Sequence, residues 1–92
     1  MTTLTRTVTI GSSHGLHARP AKLFAQAAKE TGIRVNIAKG EGKPANAASI
    51  LAVIALGAEF GEEVVLSAEE TEGAAEALDS LAALLASDID AA

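Results

Sequence analysis

The chain switches between two hydrophobic periods. In "LTRTVTI", residues 4–10, Leu4, Val8 and Ile10 fall on one side and Thr5, Thr7 and Thr9 on the other. A period of two with β-branched residues predicts a half-buried strand. Arg6 interrupts the apolar side, which places this strand near a sheet edge. From Pro20 to Thr31 the spacing lengthens. Leu23 with Ala27, and Phe24 with Ala28, stand four apart and share a helical face. Gly32 follows where helices commonly stop. "IRVNIAK" returns to alternation, with Ile33, Val35 and Ile37 on one side, and "GEG" at 40–42 predicts a hairpin into a short strand near Lys43 to Asn46. "ASILAVIAL", 48–56, is apolar enough for a buried strand or a short helix. The spacing of Ile50, Val53 and Ile54 and the alanines favour a helix, with Asn46 as its cap and Gly57 as its stop. "EEVVLSA" predicts a strand with Val64, Leu66 and Ala68 on one face. A last helix, capped by Thr71, buries Ala74, Leu78, Leu81 and Leu85, and the "SDIDAA" end is expected to fray.

The order is β-α-β-β-α-β-α, with one apolar stripe per helix and one apolar side per strand. It predicts an α+β fold: helices on one face of a mostly antiparallel sheet, the other face wet. A length of 92 residues predicts a single domain over 1–92. Apolar residues make up 49%, enough for a folded core, and with two Phe and no Trp or Tyr that core is aliphatic. The absence of cysteine excludes a disulfide, a thiol nucleophile and a thiolate zinc site, and fits a cytoplasmic protein. "MTTLTRTVTIG" does not read as a signal peptide. The most apolar run, 45–58, is shorter than the ~20 residues that span a bilayer. A soluble, cytoplasmic chain without direct membrane insertion is expected.

Charge adds an asymmetry. All seven Lys and Arg lie in residues 1–45 against two acids, Glu30 and Glu41, a balance of +5; residues 46–92 hold ten acids and no base. The acidic total argues against nucleic acid, which needs a broad basic surface. The basic half is suited to one anionic group or an acidic partner. The acids at 69–76 read as a solvated face that also supplies first-turn charges to the last helix.

The candidate chemistry lies in "SSHGLHARPAKL", 12–23. The first strand ends near Ile10 and helical periodicity starts near Pro20, so His17 falls at or beside the helix cap, with Ala18 and Arg19 in the first turn. Pro20 is tolerated there because first-turn N–H groups have no intrahelical partner. The backbone amides of Ala18 and Arg19, at the positive end of the helix, form a seat for a phosphate or carboxylate. That field and Arg19 favour an uncharged imidazole, the form that attacks. A guanidinium suits phosphate oxygens. Nucleophile, anion seat and counter-charge within three residues are the layout of a covalent phosphohistidine. No P-loop and no Ser-His-Asp set accompany it, so a carrier between two other proteins fits better than a nucleotide-using enzyme. His14 and His17 are too few for a closed zinc site, so no metal is expected and His14 reads as a loop residue.

"GLHARPA", Gly15 to Ala21, resembles the active-site motif of the HPr family, the histidine-containing phosphocarriers of the bacterial phosphoenolpyruvate-dependent sugar phosphotransferase system. "SILAVIALG", Ser49 to Gly57, is similar to that family's second signature, and the resemblance covers nearly the whole chain. It implies an open-faced β-sandwich of three helices over four antiparallel strands, a carrier rather than an enzyme, and no cofactor. By resemblance, His17 is the phosphoryl acceptor through Nδ1 and Arg19 attends the phosphoryl group. The implied donor is Enzyme I, charged by phosphoenolpyruvate, and the acceptors are sugar-specific IIA domains during sugar uptake. Ser49 matches a serine that an ATP-dependent kinase phosphorylates in some members, which implies that kinase and transcriptional regulators as further partners. Ala48 and Ala52 stand where many such members carry basic residues, and count against it. Ile50, Leu51 and Ile54 are too apolar for a short helix to bury together. The resemblance implies that part of this set forms a docking surface beside His17, with Arg19, Lys22 and Lys29 as its charged rim. A monomer is expected. The alternative function is an HPr-like regulatory binding module controlled by phosphorylation of Ser49.

Overall fold

The computed structural model describes residues 2–13, 15–40 and 42–87. Seven elements follow one another: β1 (Thr3–Thr9), α1 (Ala18–Glu30), β2 (Asn36–Lys39), β3 (Ala45–Asn46), α2 (Ile50–Leu56), β4 (Glu63–Glu69) and α3 (Ala74–Ala86). The expected order is present. The four strands form one antiparallel sheet in the order β1-β4-β2-β3, which leaves β1 at an edge, where Arg6 placed it.

Register explains which side is dry. Leu4, Arg6 and Val8 pair with Ala68, Leu66 and Val64, and Ile37 and Lys39 pair with Leu66 and Val64 on the other flank. These residues share the face on which the helices lie. α3 packs over β1 and β4, α2 over β2 and β3, and α1 against both helices. Thr3, Thr5, Thr7 and Thr9 line the opposite, wet face. Between the layers Phe24, Leu16, Ile37, Leu66, Leu78, Leu81 and Leu85 are completely or almost completely buried. At ~1.5–3 kcal/mol per fully buried large apolar side chain, this layer is the main favourable term in the fold.

The two cations on the dry face are each paired. Arg6 Nε donates to Asp79 Oδ1 of α3 at 2.7 Å, and Lys39 reaches toward the end of α2. All four predicted residues of the α3 stripe, Ala74, Leu78, Leu81 and Leu85, are buried, and Ala77 joins them.

Three local expectations are corrected. The alternation in "IRVNIAK" predicts a longer strand than β2, which begins at Asn36. Val35 stays attached through its carbonyl, which accepts from the Ala47 amide at 3.0 Å. Asn46 does not cap α2, because it is still in β3, opposite Asn36. Its Oδ1 accepts from the Ala48 amide at 2.9 Å and turns the chain. Ser49 then takes the cap, its Oγ accepting from the Ala52 amide at 3.2 Å. Nor does Thr71 cap α3. Gly73 occupies that position with φ 86 and no side chain to offer, while the Thr71 carbonyl accepts from the Ala74 amide at 3.0 Å. Glu76 in the first turn supplies the favourable charge instead. The predicted fraying tail falls almost entirely on residues 88–92, outside the described residues.

Candidate functional site

The segment between β1 and α1 is held by its backbone. Ile10 exchanges hydrogen bonds with the chain entering β4: its amide donates to the Glu62 carbonyl at 2.9 Å and its carbonyl accepts from Gly61 at 3.0 Å. The Gly11 amide donates to the Leu85 carbonyl at 2.9 Å. Any Cβ on Gly11 would collide with the Ala86 backbone carbonyl, so the end of α3 can lie this close only over glycine. The Gly15 amide closes a turn onto the Ser12 carbonyl at 2.9 Å, and the Leu16 amide donates to the Ala58 carbonyl at 2.8 Å. Gly15 has φ +68, and a Cβ there would stand 2.7 Å from the Ala58 oxygen. Both features demand glycine. Leu16, wholly buried, anchors the segment in the core.

His17 comes next and is the N-cap of α1, at φ −105 and ψ 162. It is exposed, and its side chain makes no capping hydrogen bond. The imidazole is therefore not spent on the helix, as a Ser or Asp cap would be. Its carbonyl receives the first helical bond from the Ala21 amide at 3.3 Å. Ala18 and Arg19 are the first-turn residues, and Pro20 supplies no N–H. Ala18 has φ 29, the positive-φ region that residues with a Cβ rarely occupy. No acid lies in the first turn of α1 to oppose an anion.

Arg19 and Lys22, one turn apart, are exposed near this end of the helix. Lys29 shares their stripe but belongs to the last turn, ~18 Å from His17 along the axis at 1.5 Å per residue. The structure thus gathers His17, Ala18, Arg19 and Lys22 at one end and leaves Lys29 at the other. His14 lies outside the described residues.

α2 packs against α1 and presents apolar side chains to solvent: Ile50, Leu51 and Ile54 are 40%, 80% and 37% exposed, while Val53 alone of the helix is buried. Phe60, 64% exposed, sits in the loop after α2, two residues past the carbonyl that holds Leu16. Sequence reasoning missed Phe60, a lone apolar residue among Glu and Gly with no periodicity to flag it. Among the described residues these four are the exposed large apolar side chains, and all lie within 50–60.

Three helices on one face of an open four-stranded antiparallel sheet, with an exposed histidine at a helix start, place the chain in the class of open-faced β-sandwiches. The family description "PTS HPr component phosphorylation site" matches residues 4–87, and the chain belongs to this HPr family of phosphocarriers of the phosphotransferase system. It is 54% identical over 85 residues to the phosphocarrier protein HPr of Streptomyces coelicolor, covering 92% of this chain and 90% of that one. Identity to the multiphosphoryl transfer protein of Vibrio cholerae is 46% over 78 residues, covering 80% of this chain and 20% of that longer protein. The crystal structure of HPr from Bacillus anthracis superposes with a TM-score of 0.84 at 34% identity, covering 92% of this chain and 99% of that one. Among the described residues, no helix is long and apolar enough to cross a membrane.

Proposed function

We propose that residues 1–92 act as one cytoplasmic carrier unit in which His17 takes a phosphoryl group from Enzyme I and passes it to sugar-specific IIA domains. The observation that carries this reading is the exposed His17 at the N-cap of α1, whose side chain makes no capping hydrogen bond. A ring nitrogen attacks the phosphorus of the donor's phosphohistidine, the donor's nitrogen leaves, and the phosphoryl group stays on His17 until an acceptor repeats the exchange. Charge on the phosphoryl oxygens meets the first-turn amides of Ala18 and Arg19 and the Arg19 guanidinium. The chain performs no net turnover; it is regenerated only when the second protein accepts the group. Membership of the family and the fusion implied by the name "multiphosphoryl transfer protein" support a relay of this kind.

Ile50, Leu51, Ile54 and Phe60 form the apolar part of the docking surface, with Arg19 and Lys22 as its rim and Lys29 extending it. Acidic partners are steered to it mainly through on-rate. Ser49 is read here as a helix cap, since its hydroxyl is already engaged by the Ala52 amide.

The test is intact mass after incubation with phosphoenolpyruvate and Enzyme I. One acid-labile phosphoryl group is expected on the wild type and none on His17→Ala. A His17→Ala protein that still takes up the group defeats the assignment.

A further inference from the structure

The peptide group joining Ala58 to Glu59 is bonded at both ends. Its carbonyl accepts from the Leu16 amide at 2.8 Å, and Leu16 immediately precedes His17. Its N–H donates to Glu62 Oε1, also at 2.8 Å. The carboxylate and the reactive segment are thus connected through a single rigid plane.

The carboxylate is itself held. The Lys39 ammonium lies 3.3 Å from the same Oε1 and donates to the Gly57 carbonyl, the C-cap of α2, at 3.3 Å. Lys39 can do this because register puts it on the helix-bearing face of the sheet, opposite Val64. The Glu62 amide closes the turn onto the Glu59 carbonyl at 3.0 Å, and Gly61 takes φ +85 to make the turn. Two bonds are made by the 58–59 plane itself, and the turn and Lys39 hold the carboxylate that one of them uses.

We propose that Glu62, seated by Lys39, is a positioning residue for His17 that acts through the Ala58–Glu59 peptide group. The proposal rests on the phosphocarrier reading of His17. A charged acceptor on the N–H end polarises the amide and strengthens the bond its carbonyl makes, so the carboxylate tightens the Leu16 contact it never touches. Gly15 packs against the same plane, where a Cβ would stand 2.7 Å from the Ala58 oxygen and 2.9 Å from Glu59 Cα. A change in tilt is consequently felt by Gly15 and Leu16 together. Phosphoryl transfer depends on alignment, and small displacements of a reacting atom are costly in rate. Phe60 rides on the same turn, so the loop that orients His17 also carries an apolar side chain of the docking surface.

The experiment compares Glu62→Ala, which removes the acceptor, with Glu62→Gln, which keeps an oxygen for the Glu59 amide. Glu62 is part-exposed, so neither change opens a core cavity, and thermal melts confirm folding. Two readouts are taken: hydrogen exchange of the Leu16 amide by NMR, and the rate of phosphoryl acceptance as a function of Enzyme I concentration. Glu62→Ala is expected to expose the Leu16 amide to faster exchange and to lower the saturating rate about tenfold, with KM within about twofold of wild type. Glu62→Gln is expected to recover most of both. Wild-type Leu16 protection and saturating rate in Glu62→Ala overturn the proposal, as does a loss confined to KM, which marks a docking effect. A wild type that accepts no phosphoryl group refutes the carrier reading instead, while Leu16 exchange still reports on the linkage by itself.

Discussion

Ser12 is the buried polar side chain among the described residues, fully enclosed beneath the segment that leads to His17, and its hydroxyl has no hydrogen-bond partner. Its carbonyl accepts from Gly15, so the main chain alone sets its position. A buried hydroxyl left unsatisfied costs ~1–3 kcal/mol, whereas a methyl in its place costs nothing of that kind. Ser12→Ala is therefore expected to stabilise the protein by about 1 kcal/mol, a rise in Tm of ~4–8 °C for a chain of this size. Differential scanning calorimetry checks it, and a fall in Tm means the hydroxyl is satisfied in solution. Nothing in "GSSHG" separates Ser12 from Ser13, because their difference in burial follows from how the folded chain packs around this segment and not from local spacing. The places of His17 and Arg19 at the start of α1 were legible because a helix start is a local event.

At the scale of elements, α2 shows where pattern reading succeeds and where it stops. The spacing of Ile50, Val53 and Ile54 was enough to choose helix, and Gly57 ends it with φ 65 as expected. The cap was misassigned because Asn46 and Ser49 are equally good capping residues by type. Only the pairing of Asn46 with Asn36 across the hairpin removes it from the helix. With seven residues, α2 has few bonds of its own and depends on that cap and on Val53 in the core. Ser49→Ala is expected to lower stability by about 1 kcal/mol, read as a shift of the urea midpoint with the slope unchanged. An unchanged midpoint removes the capping role and leaves the hydroxyl available for another one.

Across the whole molecule, the charge asymmetry of the sequence is partly folded into pairs. Arg6 on the first strand meets Asp79 on the last helix, and Lys39 of the basic half meets Glu62 of the acidic half. The hydrogen bond from the Glu59 amide, aided by Lys39, holds the Glu62 carboxyl below its ordinary 4.5. A depressed pKa in the folded state means the unfolded chain binds the proton more tightly. The stabilisation from this group is thus fully present above the unfolded value and lost as pH falls through the folded one. Glu62→Gln is expected to be less stable than wild type near pH 7, with the gap closing as pH falls below 4.5 and through the lower folded value. Paired urea titrations at pH 7 and pH 3 measure it, and a gap that stays constant on acidification shows the carboxylate to be unlinked to folding. The effect is modest because the pair is part-exposed and screened by solvent.

The sequence by itself determined the element order, the aliphatic core and the place of His17 at the start of α1, because each depends on spacing along a backbone of fixed geometry. Alternation buries Val64, Leu66 and Ala68 wherever the strand lies, and "GLHARPA" puts an imidazole before a helix in any surroundings. Tertiary structure alone decided which carbonyl receives the Leu16 amide, which lysine meets the Glu62 carboxylate, and which serine is enclosed. Those outcomes follow from the strand order β1-β4-β2-β3, which brings residues 10–16 against 58–62 and residue 39 beside residue 62. No local period encodes contacts such as Leu16 with Ala58 or Lys39 with Glu62, which join distant parts of the chain; they exist only once the sheet has chosen its neighbours.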